Sequence, residues 1–230
     1  MVGKAATVTG QTLTPEQIGI GMRISIHPHT DAFVDVILAA LEETTTTAQQ
    51  RGILQNLVIE TGEVSTYVGV RSGEAGQQLA EYATTLIAAA SRASNRAHLT
   101  SHLLLSRGCP GEAACELVPG EVPAETHVDL ELTGLPAVAA WSLYPLADDG
   151  LPHMEPIMAA IDAAKSSGID VVSEHYATVL RGDLAEVLAL VVNAWGRVGE
   201  QVPHVVSHVS ISLDSPSAAA EPAQAEAGAR

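Results

Sequence analysis

A nine-residue stretch of this chain occurs twice, and that repetition constrains the fold more than any other feature. His98-Leu99-Thr100-Ser101-His102-Leu103-Leu104-Leu105-Ser106 returns as His204-Val205-Val206-Ser207-His208-Val209-Ser210-Ile211-Ser212. Both histidines, the serine before the second histidine and the closing serine are identical. The neighbours are apolar or β-branched and alternate in character, so each stretch is predicted to be a strand. Zinc is suited by His-x-x-x-His on a helix, where both rings share a face. On a strand the two rings stand ~13 Å apart, too far for one ion. No metal site is expected.

The residues upstream repeat as well. Met22, Ile24 and Ile26 alternate with Arg23, Ser25 and His27 until Pro28, the period of a half-buried strand. Thr30-Asp31 suits a helix start, with Phe33, Val36, Ile37, Ala40 and Leu41 on one face and a polar connection from Glu42 to Gly52. Leu57 to Ile59 and Val64 to Val70 predict two strands around Thr61-Gly62. Leu79, Tyr82, Ala83, Leu86, Ile87 and Ala90 then form a helical stripe before the histidine strand.

The order restarts at Val138 to Pro145, with Ser142 over Ser25 and Pro145 over Pro28. Met154, Ile157, Met158, Ile161 and Ala164 form the next stripe, ended by Gly168. Ile169 to Ser173 and Tyr176 to Arg181 form the second hairpin, with Thr178 over Thr66. Asp183 and Glu186 have capping-box spacing, and Leu184, Val187, Leu188, Val191, Val192 and Trp195 face one way.

Strand, helix, strand, strand, helix, strand, twice over, predicts an α+β fold of two tandem ferredoxin-like (βαββαβ) repeats, with antiparallel sheets and helices on one face. The expected division is an N-terminal arm at 1–16, repeats at 17–110 and 135–214, a linker at 111–134 and a disordered tail at 215–230. The bare face of each sheet needs a cover, for which the twin repeat or a second chain is the natural candidate.

Composition narrows the function. Only 3 % of residues are aromatic, so aliphatic side chains must build the core. A net charge of -16 with 11 Lys and Arg argues against nucleic acid. No apolar run reaches the length of a membrane span or a signal peptide, which predicts a cytoplasmic protein without membrane insertion. Cys109 and Cys115 are too few for a disulfide framework. Nucleophile elbow, phosphate loop and dinucleotide fingerprint are absent from the sequence, and Glu42-Glu43 and Asp148-Asp149 read as solvated. No catalytic residues and no required cofactor are expected. Ser25 with Thr66, and Ser142 with Thr178, lie on adjacent central strands. They either line a small polar pocket or satisfy themselves locally; pattern alone leaves both open.

From Gly21 to Pro216 the chain resembles the YkoF family of soluble thiamine- and hydroxymethylpyrimidine-binding proteins. The resemblance lies in Arg23-Ile24-Ser25-Ile26-His27-Pro28 with Thr30-Asp31-Ala32-Phe33, in Val64-Ser65-Thr66, and in the histidine strand with Gly108-Cys109-Pro110-Gly111. It continues through Leu143-Tyr144-Pro145, His175-Tyr176-Ala177, and His204 to Ser212 with Ser215-Pro216-Ser217. The resemblance implies a homodimer with one ligand pocket per repeat, serving pyrimidine or thiamine salvage beside a membrane transporter. The pockets it implies comprise Ser25, Ile26, Glu63 and Thr66 in the first repeat and Ser142, Leu143, His175 and Thr178 in the second. Glu63 stands where the family has a histidine, His27 where the second repeat keeps Tyr144, and the first hairpin is longer than its twin. A ligand-sensing regulatory module and a small ferredoxin-like-barrel enzyme are the alternative readings.

Overall fold

The computed structural model describes residues 12–109, 124, 126–146, 154–202 and 204–217. A one-turn helix α1 (Pro15–Ile18) leads into β1 (Gly21–Pro28), α2 (Phe33–Gln50), β2 (Leu57–Thr61), β3 (Thr66–Val70), α3 (Ala75–Ala93) and β4 (Leu99–Arg107). The second repeat follows as β5 (Pro136–Pro145), α4 (Met154–Lys165), β6 (Asp170–Glu174), β7 (Ala177–Asp183), α5 (Leu184–Gly199) and β8 (Val205–Leu213). Each half is βαββαβ, the ferredoxin-like arrangement. All eight strands join one antiparallel sheet in the order β2-β3-β1-β4-β8-β5-β7-β6.

Sheet register carries the duplication. Ser25 lies opposite His102 and its twin Ser142 opposite His208. Ile24 opposes Thr66, and Trp141 opposes Thr178. Where β4 meets β8, Leu103 faces its own counterpart Val209, so a local two-fold axis passes between them. The twin repeat thus extends the sheet edge to edge. It does not lie over the bare face, contrary to one of the two covers expected from the sequence.

Strand alternation puts Met22, Ile24, Leu103, Leu105, Trp141, Val209 and Ile211 against the helices. The helices return the stripes predicted for them: Leu79, Tyr82, Leu86 and Ile87 from α3, Leu184, Leu188, Val191 and Trp195 from α5, all buried. The buried indoles keep partners, as a low-dielectric core demands. Trp195 Nε1 donates to the Val205 carbonyl at 3.2 Å and Trp141 Nε1 to Ser207 Oγ at 2.9 Å. Arg107 is also buried, where β4 of the first repeat runs under α5 of the second. Gly199 makes room for it, because a Cβ there would stand 2.3 Å from Arg107 Cδ.

Several local expectations are corrected. Glu42 to Gln50 is not a connection but the second half of α2. Thr44 and Ala48 continue the buried row of Val36 and Ala40, and Thr44 Oγ1 donates to the Ala40 carbonyl at 2.6 Å. The N-cap of α2 is Ala32, without a side-chain bond; Thr30 accepts from the Ala32 N–H in the turn before it. Val64 and Ser65 stand in the hairpin loop, since β3 starts at Thr66. In α4 Met158 is exposed, while Ala160 and Ala164 are buried.

In the N-terminal arm, residues 1–11 lie outside the described ones, but Thr14-Pro15-Glu16-Gln17 forms a complete capping box with proline in the first turn. The linker's described end is not loose. Val128 is buried, and its N–H and carbonyl both bond to Asn193 on α5, at 2.8 and 3.0 Å. Of the two acidic pairs, Glu43 forms an ion pair with Arg92, and Asp148-Asp149 lies outside the described residues.

Candidate functional site

Both repeats have a gap in the sheet at the same place. β1 pairs with β4 as far as Pro28, but with β3 only as far as Ile24 opposite Thr66. Similarly, β5 pairs with β8 to Pro145, and with β7 only to Trp141 opposite Thr178. The last four residues of each central strand therefore have a free edge.

Ladder parity shows which groups face it. Along an extended strand, the N–H and C=O of alternate residues point to opposite neighbours. The Ile20 carbonyl accepts from Val70 on the β3 side, and the His29 N–H donates to His98 on the β4 side. Even-numbered residues of β1 thus turn toward β3, and the N–H and C=O of Ile26 face the gap. The same count in the second repeat, set by the Leu146 N–H donating to His204, places Leu143 likewise.

A cavity of about 370 Å³ opens at the first gap. Ser25, Ile26, Glu63 and Thr66, all singled out from the sequence, line it, together with Phe33, Ile37 and Leu41 of α2 and the hairpin loop 62–65. The cavity at the second gap, about 290 Å³, is lined by Ser142, Leu143 and Thr178 with Ile157 and Ile161 of α4. Ser25 and Thr66 point to opposite faces of the sheet and meet in one cavity only because β3 has ended between them. His175 is not in the wall of the second cavity. Its neighbours Glu174 and Tyr176 are, and Glu174 rather than His175 supplies the acidic group opposite Glu63's place in the twin.

The polar atoms of the two cavities are held differently. In the first, Thr66 Oγ1 lies 3.2 Å from Thr61 Oγ1, and Ser25 Oγ lies 3.0 Å from His27 Nε2. His27 is held below the ordinary histidine range by burial, then by His102 and His29. In the second, Ser142 Oγ donates to the Tyr176 carbonyl at 3.3 Å. Tyr176 sits at φ 63, a left-handed conformation uncommon for an aromatic residue, and its side chain is fully exposed at the mouth. Each cavity is lined in part by exposed bulky residues: Phe33 and Val64 in the first, Tyr144 and Tyr176 in the second.

Sequence reasoning did not single out Phe33, Ile37, Trp141, Ile157 or Tyr176 as lining residues. The signal for the helix positions was their place on the strand-facing stripe; for Tyr176, it was a bulky residue in a two-residue turn. A further cavity of about 410 Å³ lies between α4, α5 and His127-Val128, walled largely by alanines. None of the residues singled out at the two sheet gaps lines it.

Among the described residues no helix is long and apolar enough to cross a membrane. The sequence pattern described as the YKOF-related Family matches residues 137–218. A protein of Bacillus subtilis (strain 168), provisionally named HMP/thiamine-binding protein YkoF, is 29% identical over 199 residues, covering 86% of this chain and 91% of its own length. The hypothetical protein MJ1052 of Methanocaldococcus jannascii shares 33% identity over 33% of this chain and 77% of its own, at a TM-score of 0.31. The second repeat, residues 137–218, thus matches the YKOF-related Family, and the resemblance to the Bacillus protein extends across both repeats.

Proposed function

We propose that this chain is a binding protein for thiamine or its hydroxymethylpyrimidine moiety, with one molecule held at each sheet gap. The observation that carries the reading is the twin register: in both repeats the outer partner strand stops at the threonine, which leaves the N–H and C=O of Ile26 and of Leu143 facing a cavity. An aminopyrimidine offers a ring-nitrogen acceptor next to an amino donor. A single strand residue offers the complementary donor and acceptor, as it would to a neighbouring strand. Ser25, Thr66, Ser142 and Thr178 supply hydroxyls, and the α2 and α4 side chains supply an apolar wall for the ring. Glu63 and Glu174 at the hairpin turns suit a thiazolium cation, and the net charge of -16 favours its approach.

On this reading the protein needs no cofactor, and it holds and delivers its ligand without transforming it. We further infer a cytoplasmic homodimer that supports salvage or uptake of a thiamine precursor beside a membrane transporter. Titration calorimetry with thiamine and with hydroxymethylpyrimidine tests this: two molecules bound per chain are expected. Absence of both heat and thermal shift with either compound refutes it.

A further inference from the structure

The apolar surface of α2 does not stop at the cavity. Phe33, Ile37 and Leu41 line the first gap, and Val34 and Leu38 stand beside that row, one residue further round the helix. Phe33, Val34 and Leu38 are 51 %, 52 % and 59 % exposed, and Val64 in the hairpin loop is 86 % exposed. None of the four belongs to the core or packs against it, so folding does not account for them. Apolar residues gathered on a surface and rimmed by polar ones mark a contact with another molecule.

The second repeat puts exposed bulky residues at the same two points. Met158 follows the lining residue Ile157 as Leu38 follows Ile37, and Tyr176 stands two residues before Thr178 as Val64 stands two before Thr66. Both are exposed. A single exposed apolar side chain needs no explanation, but the same pair beside both cavities is a property of the repeat.

Charge decides what the first of these surfaces can take. From His29 to Gln50 and from Leu54 to Val70 the chain has no lysine or arginine, whereas Asp31, Asp35, Glu42, Glu60 and Glu63 stand exposed on these segments. Among the described residues none of these five carboxylates is in an ion pair; Glu43 is matched by Arg92. Asp35 lies three residues before Leu38 and Glu42 four after it, so both flank it on the helix, and Glu63 adjoins Val64. Arg23 touches the loop at Ser65 Oγ, 3.3 Å away, with its guanidinium over the Tyr67 ring. An anionic lipid surface, a nucleic acid or a second copy of the same patch would each bring like charge against these acids. A helix with one apolar face bordered by lysine or arginine meets both the apolar centre and the acidic rim. Beside the second cavity the charge is partly offset, since Asp162 pairs with Lys165 at 3.9 Å.

We propose that the surface around Val34, Leu38 and Val64 docks a basic amphipathic helix of a partner protein at the mouth of the first cavity. Phe33 and Val64 belong to the cavity wall and to the docking surface at once, so a helix seated there stands where a ligand enters and leaves. The inference deepens the binding reading above by giving the chemistry of a partner. It rests on that reading for what is passed between the two proteins, and not for the docking itself.

Three probes test this against the ligand-free protein at physiological salt: a labelled synthetic helix of leucine and lysine, its leucine–glutamate counterpart, and vesicles of phosphatidylcholine with phosphatidylserine. Fluorescence anisotropy is expected to rise with the lysine helix and with neither of the others. Val34→Ser/Leu38→Ser and, separately, Asp35→Lys are expected to weaken that binding at least about tenfold, with circular dichroism verifying the fold. Leu132→Ser, at an exposed leucine remote in sequence from the patch, is expected to leave it within about twofold. No binding of the lysine helix, or equal binding of the glutamate helix, overturns the proposal. Binding that the α2 variants leave unchanged is general attraction to an acidic chain and overturns it as well, and vesicle binding that they abolish assigns the surface to a membrane instead. Calorimetric titration with hydroxymethylpyrimidine is scored separately. Its failure with docking intact refutes the ligand reading alone, and loss of docking with titration intact refutes only this one.

Discussion

Ile26→Pro is the sharpest test of the sheet-gap site. Proline removes the N–H of Ile26 and fills its place with ring carbons, while the hydrogen bonds of β1 to β4 come from odd-numbered residues and survive. Ile26→Ala is the necessary control, because the isoleucine side chain is buried against the helices and its loss costs stability of about 2–4 kcal/mol by itself. Alanine keeps the N–H. A ligand ring nitrogen left without its donor in a confined site costs about 1–3 kcal/mol, roughly a tenfold to hundredfold loss of affinity. Calorimetric titration with hydroxymethylpyrimidine, at a temperature where melting curves show both variants folded, should therefore find the first site at least about tenfold weaker in Ile26→Pro than in Ile26→Ala, with the second site unchanged in both. If the two variants bind within about threefold of each other, the backbone of Ile26 does not read the ligand and the reasoning fails.

Thr66→Val, which keeps the shape and deletes the hydroxyl partnered with Thr61, should weaken the first site about tenfold and leave the second alone; equal weakening of both in the same titration would relocate the pocket. Tyr176→Gly should raise stability by about 1 kcal/mol, or a melting point gain of roughly 2–4 °C, by relieving the left-handed backbone, while weakening the second site through loss of the ring at its mouth. Asp183→Ala should cost about 1–3 kcal/mol, because its carboxylate accepts from the Ala185, Thr133 and Gly134 N–H groups and from the Thr133 hydroxyl. Burial opposes that charge, but these four donors outweigh it and hold the carboxyl below its usual range. The contribution is therefore present above an unfolded value of ~3.9 and lost as pH falls through the lower folded value. Melting curves should show a constant gap between wild type and variant from about pH 7 to 5 that closes in strong acid.

Much of the fold was legible because duplication doubles each signal. Strand period and two helical stripes recur in each repeat, and matched positions such as Ser25 and Ser142 take matched places in the ladder. The second half of α2 was not legible, since Thr44 and Thr45 lower helix propensity and look like a connection. Their hydroxyls instead bond back to the carbonyls of Ala40 and Leu41 inside the helix. The cavities were partly legible. A polar residue on a central strand is visible in the pattern, but where the neighbouring strand ends is set by hairpin geometry: a loop of residues 62–65 in the first repeat, only His175-Tyr176 in the second. That difference also explains why a carboxylate borders both gaps from different positions, Glu63 in one and Glu174 in the other.

The edge-to-edge join accounts for the placement of the histidine strands. In an isolated ferredoxin-like unit, the last strand would be a sheet edge, and here it would be nine residues long, with Leu103 and Leu105 or Val209 and Ile211 on its buried side. Such an edge templates uncontrolled pairing. Joining β4 to β8 uses up both long edges at once, in a register that opposes Leu103 to its own twin. The edges that remain, β2 and β6, are five residues each and carry Glu60, Asp170 and Glu174. Short acidic edges resist further pairing, so growth of the sheet stops at eight strands.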